Sequence, residues 1–170
     1  MCEVKRVIGG RLKIVVCRLF VGHGEPVTTF STSREIPASV EQVFAAFSDP
    51  ERLARWWGPA GFTNTFSLCE FKQGGRWSFV MHGPDGVNYP NENVFAEIEA
   101  PNKVVVQHVS EPKFRLTIAL ASSAAGTVVS WSQAFENSEF AGRVEHIVVP
   151  ANEQNLDRLS AEVLRKPVGG

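Results

Sequence analysis

Apolar and polar positions change period along this chain, and the changes mark out its elements. Over 28–36 (TTFSTSREI) a two-residue period puts Phe30, Thr32, Arg34 and Ile36 on one face of a strand. Val40, Val43, Phe44 and Phe47 then follow at three- and four-residue steps, which predicts an amphipathic helix over 40–48. Ser39 and Gln42 stand at capping-box spacing before it, so each side chain can satisfy the other's backbone N–H. Asp49 and Pro50 open a second short helix as N-cap and first-turn residue. Leu53, Trp56 and Trp57 put both indoles near one face of it, and Gly58-Pro59 stops it. Two adjacent tryptophans there read as core, or with one of them as a wall of a cavity mouth.

The period then returns to two. Residues 65–71 and 76–82 flank Lys72-Gln73-Gly74-Gly75, a hairpin signal, with Trp77, Phe79 and Met81 alternating against Ser78, Val80 and His82. Further strands fall at about 93–99, 103–109, 113–121 and 127–136, each bounded by Pro, Asn or Gly, as an antiparallel meander needs. The last third is helical: Phe140, Val144, Val148, Asn152, Leu156, Leu159 and Val163 form one stripe. Pro150 interrupts it, so either the helix kinks there or its main part begins there. The order is strand, two helices, six strands and a long C-terminal helix, an α+β layout in which a curved sheet covers one helix. Residues 1–26 have a different texture and end in the breaker cluster 22–26; they read as a strand over 12–21 or a loose tail.

Composition adds mainly exclusions. At 170 residues, 44% apolar and net charge −1, the chain reads as one ordinary globular domain. Nucleic-acid binding is excluded by the absence of a basic excess; Lys5, Arg6, Arg11, Lys13 and Arg18 are interleaved with apolar residues. The run 14–21 (IVVCRLFV) is too short to span a bilayer and contains Arg18. Cys2, Cys17 and Cys69 lack metal-ligand spacing and are expected as reduced thiols in a cytoplasmic protein. His23, His82, His108 and His146 stand at no metal-ligand spacing, and no nucleophile elbow, phosphate loop or dinucleotide fingerprint occurs. No catalytic residue, metal or cofactor is therefore assigned. What does stand out is polar residues on apolar faces: Gln133 beside Trp131 and Phe135, His108 beside Val104 and Val106, and Asn152 beside Leu156 and Leu159. Each needs a partner, whether another side chain, water or a ligand, because an unpaired buried polar group costs about 1–3 kcal/mol.

Several segments carry a resemblance to a known family: REIPASVEQVFAAFSDPERLARWWGP (34–59), GGRWSFVM (74–81), FAEIEAPNKVVVQH (95–108), GTVVSWSQAF (126–135) and VVPANEQNLDRL (148–159). Together they resemble the START-like (Bet v 1-type, SRPBCC) superfamily, and within it the bacterial homologues of the activator of the heat-shock protein 90 ATPase. The resemblance implies a helix-grip fold: seven antiparallel strands wrapped around the C-terminal helix, with a cavity between them. It implies a domain over 27–166, leaving 1–26 as an N-terminal extension and 167–170 as a tail. The leading expectation is non-catalytic binding of a small apolar or aromatic molecule, lipid-like or polyketide-like. The alternatives are a chaperone-activator-like module that binds protein, or a cyclase- or hydrolase-type enzyme using the same cavity. Expected partners are that small molecule, a chaperone or other protein, or a second copy of the chain, with no nucleic acid and no membrane span. The candidate ligand-binding residues are Trp57, Trp77, Phe79, Met81, His108, Trp131, Gln133, Phe135, Asn152 and Leu159.

Overall fold

The computed structural model describes residues 2–6, 13–19 and 26–166. Its strands are β1 (Cys2–Arg6), β2 (Lys13–Leu19), β3 (Val27–Ile36), β4 (Thr63–Cys69), β5 (Arg76–His82), β6 (Asn88–Glu99), β7 (Lys103–His108), β8 (Phe114–Ser123) and β9 (Gly126–Phe135). Between β3 and β4 lie α1 (Val40–Ser48) and α2 (Pro50–Trp56), and α3 (Ser138–Val163) closes the fold. All nine strands form one antiparallel sheet in the order β1-β2-β3-β9-β8-β7-β6-β5-β4. The expected seven strands are β3 to β9, and β2 extends the sheet beyond β3. There Val16 is buried against a small cluster with Phe30, Phe135 and Ala141. Residues 22–25 of the breaker cluster and the tail 167–170 lie outside the described residues.

Local chemistry builds the helices as the sequence predicts. Ser39 Oγ accepts from the Gln42 N–H while Gln42 Oε1 accepts from the Ser39 N–H, closing the capping box of α1. Asp49 Oδ1 accepts from the N–H groups of Glu51 and Arg52 at the start of α2, with Pro50 in its first turn. Asn137 caps α3 by accepting from the Phe140 N–H. α3 runs through Pro150 as one helix of 26 residues. Losing one backbone hydrogen bond there is outweighed by the apolar face that the continuous helix lays on the sheet.

The sheet's register places the core. One inner-face row crosses it through Phe95, Val106, Leu116, Gln133 and Phe30. The next row runs through Trp77, Asn93, His108, Phe114 and Phe135. A register shift between Phe95 and Glu97 exchanges the faces of β6, so Ile98 rather than Glu97 lies opposite the inward Val104. Such bulges bend a strand and add twist, which helps the sheet curve around α3. β6 begins earlier than expected because residues 88–92 pair with β5 alone, and Pro90 lies in that one-sided stretch. Two ion-paired clasps hold α3 in place. Arg34 of β3 bonds Glu153, at 3.1 Å, and Asp157. Arg52 and Arg55 of α2 grip the buried Glu162 carboxylate at 3.2 and 2.8 Å.

Cys17 is disulfide-bonded, which corrects the expectation of three reduced thiols; Cys69 is free and half-buried. Among the described residues no helix is long and apolar enough to cross a membrane.

Candidate functional site

The paired tryptophans have different fates. Trp56 is fully buried, and its indole N–H donates to the Ala46 carbonyl at 2.9 Å, tying α2 to α1. Trp57 caps the end of α2 and becomes the hub of an aromatic cluster, its ring centroid 5.4 Å from Trp56, 4.8 Å from Trp77 and 5.7 Å from Trp131. Its outer side faces a cavity of about 200 Å³ between the sheet and α3. Trp57, Phe79, Met81, Phe114, Leu116 and Trp131 supply apolar walls, and Ile147, itself well exposed, lies at the rim.

The strand following α2 could not start directly, because the chain has to reverse over this cavity. Gly58 and Gly61 make the reversal with φ of +99° and +84°, a region that side chains disfavour. A Cβ on Gly58 would also lie 2.7 Å from Met81 Cε. The turn is held from α3. Asn155 Oδ1 accepts from the Gly58 N–H at 2.9 Å, and Gln154 Oε1 from the Ala60 N–H at 3.1 Å. Arg158 donates to the carbonyls of Trp57, Gly58, Pro59, Arg55 and Phe62 at 2.8–3.2 Å. Burial pushes its pKa down from the usual guanidinium value.

Seven of the ten sequence-predicted residues line the cavity: Trp57, Phe79, Met81, His108, Trp131, Gln133 and Asn152. The other three lie elsewhere. Trp77 is sealed behind the wall, stacked on Phe95 with ring centroids 5.3 Å apart. Phe135 faces inward but beyond the cavity's end, packed on Phe30, Phe114 and Phe140. Leu159 is fully buried in the main core, two turns along α3 from Asn152. Sequence reasoning passed over Asn91, Asn93, Leu116 and Asn155, which also line the cavity. Asn93 stands two residues before the inward Phe95, and Asn155 lies three after Asn152 on the same stripe, so the periodicity carried both signals.

Among the described residues no charged side chain lines this cavity. His108 is held neutral there: burial pushes its pKa below the ordinary imidazole value, opposed only in part by Glu111. Its hydrogen bonds define the tautomer. Asn93 Nδ2 donates to the Trp77 carbonyl at 3.3 Å, leaving Asn93 Oδ1 to accept from His108 Nδ1–H at 2.8 Å. His108 Nε2 then accepts from the Ser110 hydroxyl at 3.1 Å. Both ring nitrogens are spent within the protein, so the imidazole offers neither proton nor lone pair to a bound molecule. By contrast Gln133 Oε1 and Trp131 Nε1 are buried with no hydrogen-bond partner.

A curved antiparallel sheet gripping a long C-terminal helix over an internal cavity defines a START-like, helix-grip protein of the SRPBCC superfamily. The chain belongs to the family described as "Activator of Hsp90 ATPase homolog 1-like protein", whose model matches residues 37–163. Among solved structures it is similar to a protein from Arthrobacter aurescens, with 27% identity and a TM-score of 0.73 over 79% of this chain and 85% of that one. It is also similar to a protein from Chromobacterium violaceum (24%, TM-score 0.71, 81% and 99% covered). An AHSA1-like protein from Aeromonas hydrophila shares the fold at 22% identity and a TM-score of 0.67, with 84% and 99% covered. No curated protein matches the chain. Family and fold together suit a ligand-binding or activator-type module.

Proposed function

We propose that the protein reversibly holds a small uncharged molecule with an aromatic or apolar body, without transforming it, in the cavity between sheet and α3. The observation that carries this reading is the aromatic-walled cavity of about 200 Å³, to which no described residue contributes a charged side chain. Its size refines the expected ligand. An apolar cavity of about 150 Å³ is enough for benzene, so one substituted ring fills it, whereas a lipid chain or fused polyketide would have to protrude past Ile147 at the rim. Binding without chemistry is supported by His108, whose two nitrogens are both engaged by Asn93 and Ser110. Burying about 200 Å² of apolar ligand surface at about 25 cal/mol per Å² contributes about 5 kcal/mol. That corresponds to a dissociation constant of a few tenths of a millimolar before polar contacts are added.

The test is a two-dimensional NMR titration with ethylbenzene. Saturable shifts should appear at the Trp57 and Trp131 indole N–H groups, and the probe should be recovered unchanged. Ala151→Phe, which projects a ring from α3 into the cavity, should abolish those shifts while leaving the unfolding temperature near that of the parent, since an existing void accepts the added volume. Shifts confined to the surface, or unchanged binding by the Ala151→Phe protein, would overturn the proposal.

A further inference from the structure

Five primary carboxamides line the cavity: Asn91, Asn93, Gln133, Asn152 and Asn155. Three of them have structural work. Asn93 bridges the Trp77 carbonyl and His108. Asn155 joins the Gly58 N–H to the Ala151 carbonyl. Asn91 donates to the Tyr89 carbonyl. Gln133, 9% exposed, keeps its Oε1 buried with no hydrogen-bond partner, and Asn152, 6% exposed, shares none of the structural bonds described for the other three. One comes from β9 and the other from α3, so they reach the cavity from its two opposite layers. Both occupy stripe positions where an aliphatic side chain would pack without cost: Gln133 lies between Trp131 and Phe135, and Asn152 between Val148 and Leu156. The buried Trp131 indole N–H, two residues from Gln133, is likewise without a partner.

From this geometry we infer that the natural ligand is a neutral single-ring molecule bearing a carboxamide or lactam, a group with a donor and an acceptor side by side. The inference rests on the cavity reading above and deepens it. Each free carboxamide offers one acceptor oxygen and two N–H donors. An amide on the ligand can answer both kinds of group at once, whereas a ketone answers only the donors and a hydrocarbon neither. A carboxylate brings charge into a lining where no described residue supplies a cation to pair with it, and burying it unpaired is strongly unfavourable. Volume limits the part held inside to about one ring, as argued above.

Four probes of similar shape decide the matter: ethylbenzene, acetophenone, benzamide and benzoate, titrated by the same NMR measurement. Benzamide should bind about three- to tenfold tighter than acetophenone, the span expected for one added hydrogen bond between neutral groups. Benzoate should not bind in the cavity. In Gln133→Leu and in Asn152→Leu the advantage of benzamide over acetophenone should shrink to about twofold or less, both affinities being read against that variant's own ethylbenzene affinity. Retained ethylbenzene binding also certifies that the variant's cavity is intact. The two variants are read independently, so misfolding of one leaves the other decisive. If ethylbenzene binds and benzamide shows no advantage over acetophenone, or benzoate equals benzamide, the amide inference is wrong and the cavity reading stands. If no probe binds, both fall together.

Discussion

Replacing Arg158 by Met removes a guanidinium that five backbone carbonyls surround. Its Nη1 reaches the carbonyls of Trp57, Gly58 and Pro59 at 3.2, 2.9 and 2.8 Å, and its Nη2 those of Arg55 and Phe62 at 2.8 and 3.0 Å. No carboxylate pairs with it among the described residues, so these carbonyls take over the role that water plays for an exposed arginine. Hydrogen bonds to a charged group contribute about 1.5–3 kcal/mol each, but five such values do not add. The unfolded side chain is fully hydrated, and the carbonyls of this half-buried turn regain water once the guanidinium is gone. A net loss of about 2–3 kcal/mol is the consistent expectation, equal to one or two charged hydrogen bonds. For a chain of this size each kcal/mol lowers the melting temperature by about 2–4 °C, so a drop of about 5–10 °C should follow. Thermal unfolding measures that drop, and amide hydrogen exchange locates it: protection should fall over residues 58–62 while the centre of the sheet stays protected. Arg158→Lys keeps the charge but cannot span both groups of carbonyls, so it should recover less than half of the loss. A melting temperature within 1 °C of the parent (about 0.3 kcal/mol on the same scale), with unchanged exchange over 58–62, would refute the claim that this residue fastens the cavity rim.

Glu162 makes a pH prediction. Burial pushes its pKa up, yet the hydrogen bonds and charges of Arg55 and Arg52 win and leave it below the ordinary carboxylate value. Its contribution is therefore present above the unfolded carboxylate pKa of about 4.3 and is lost as pH falls through the lower folded value. Urea unfolding from pH 6 downward should show the parent losing about 1–2 kcal/mol more than Glu162→Gln, and parallel curves would exclude the clasp as a source of acid sensitivity. A chain starting at residue 27 should still fold cooperatively, because 27–166 holds the main core, but it uncovers the hydrogen-bonding edge of β3. Light scattering should then detect concentration-dependent association absent from the full chain, and a truncated protein that fails to fold would make the first two strands part of the domain.

The sequence by itself determined what depends on a few neighbouring residues. Ser39 with Gln42, and Asp49 with Pro50, mark both helix starts because capping is chemistry between groups two or three residues apart. Alternation through Trp77, Phe79 and Met81, and through Val129, Trp131 and Gln133, identifies inward faces because side chains alternate in any strand. With the order of elements, that was enough for the helix-grip fold. Periodicity assigns a face but no depth, however. Phe135 and Leu159 share faces with cavity residues and still lie outside the cavity, because its position is set by where α3 crosses the sheet. The bulge after Phe95 changes faces for a reason that alternation cannot contain, since the partner strand decides where the extra residue is absorbed. Pro150 stays inside one helix because the sheet supplies a surface that rewards continuity. Above all, sequence marks Gln133 and Asn152 as amides on apolar faces and passes over Asn93 and Asn155. Only the tertiary structure adds Asn93 and Asn155 to the cavity lining with their hydrogen bonds spent on the chain, and leaves Gln133 Oε1 without a partner, because such partners come from strands and turns distant in sequence.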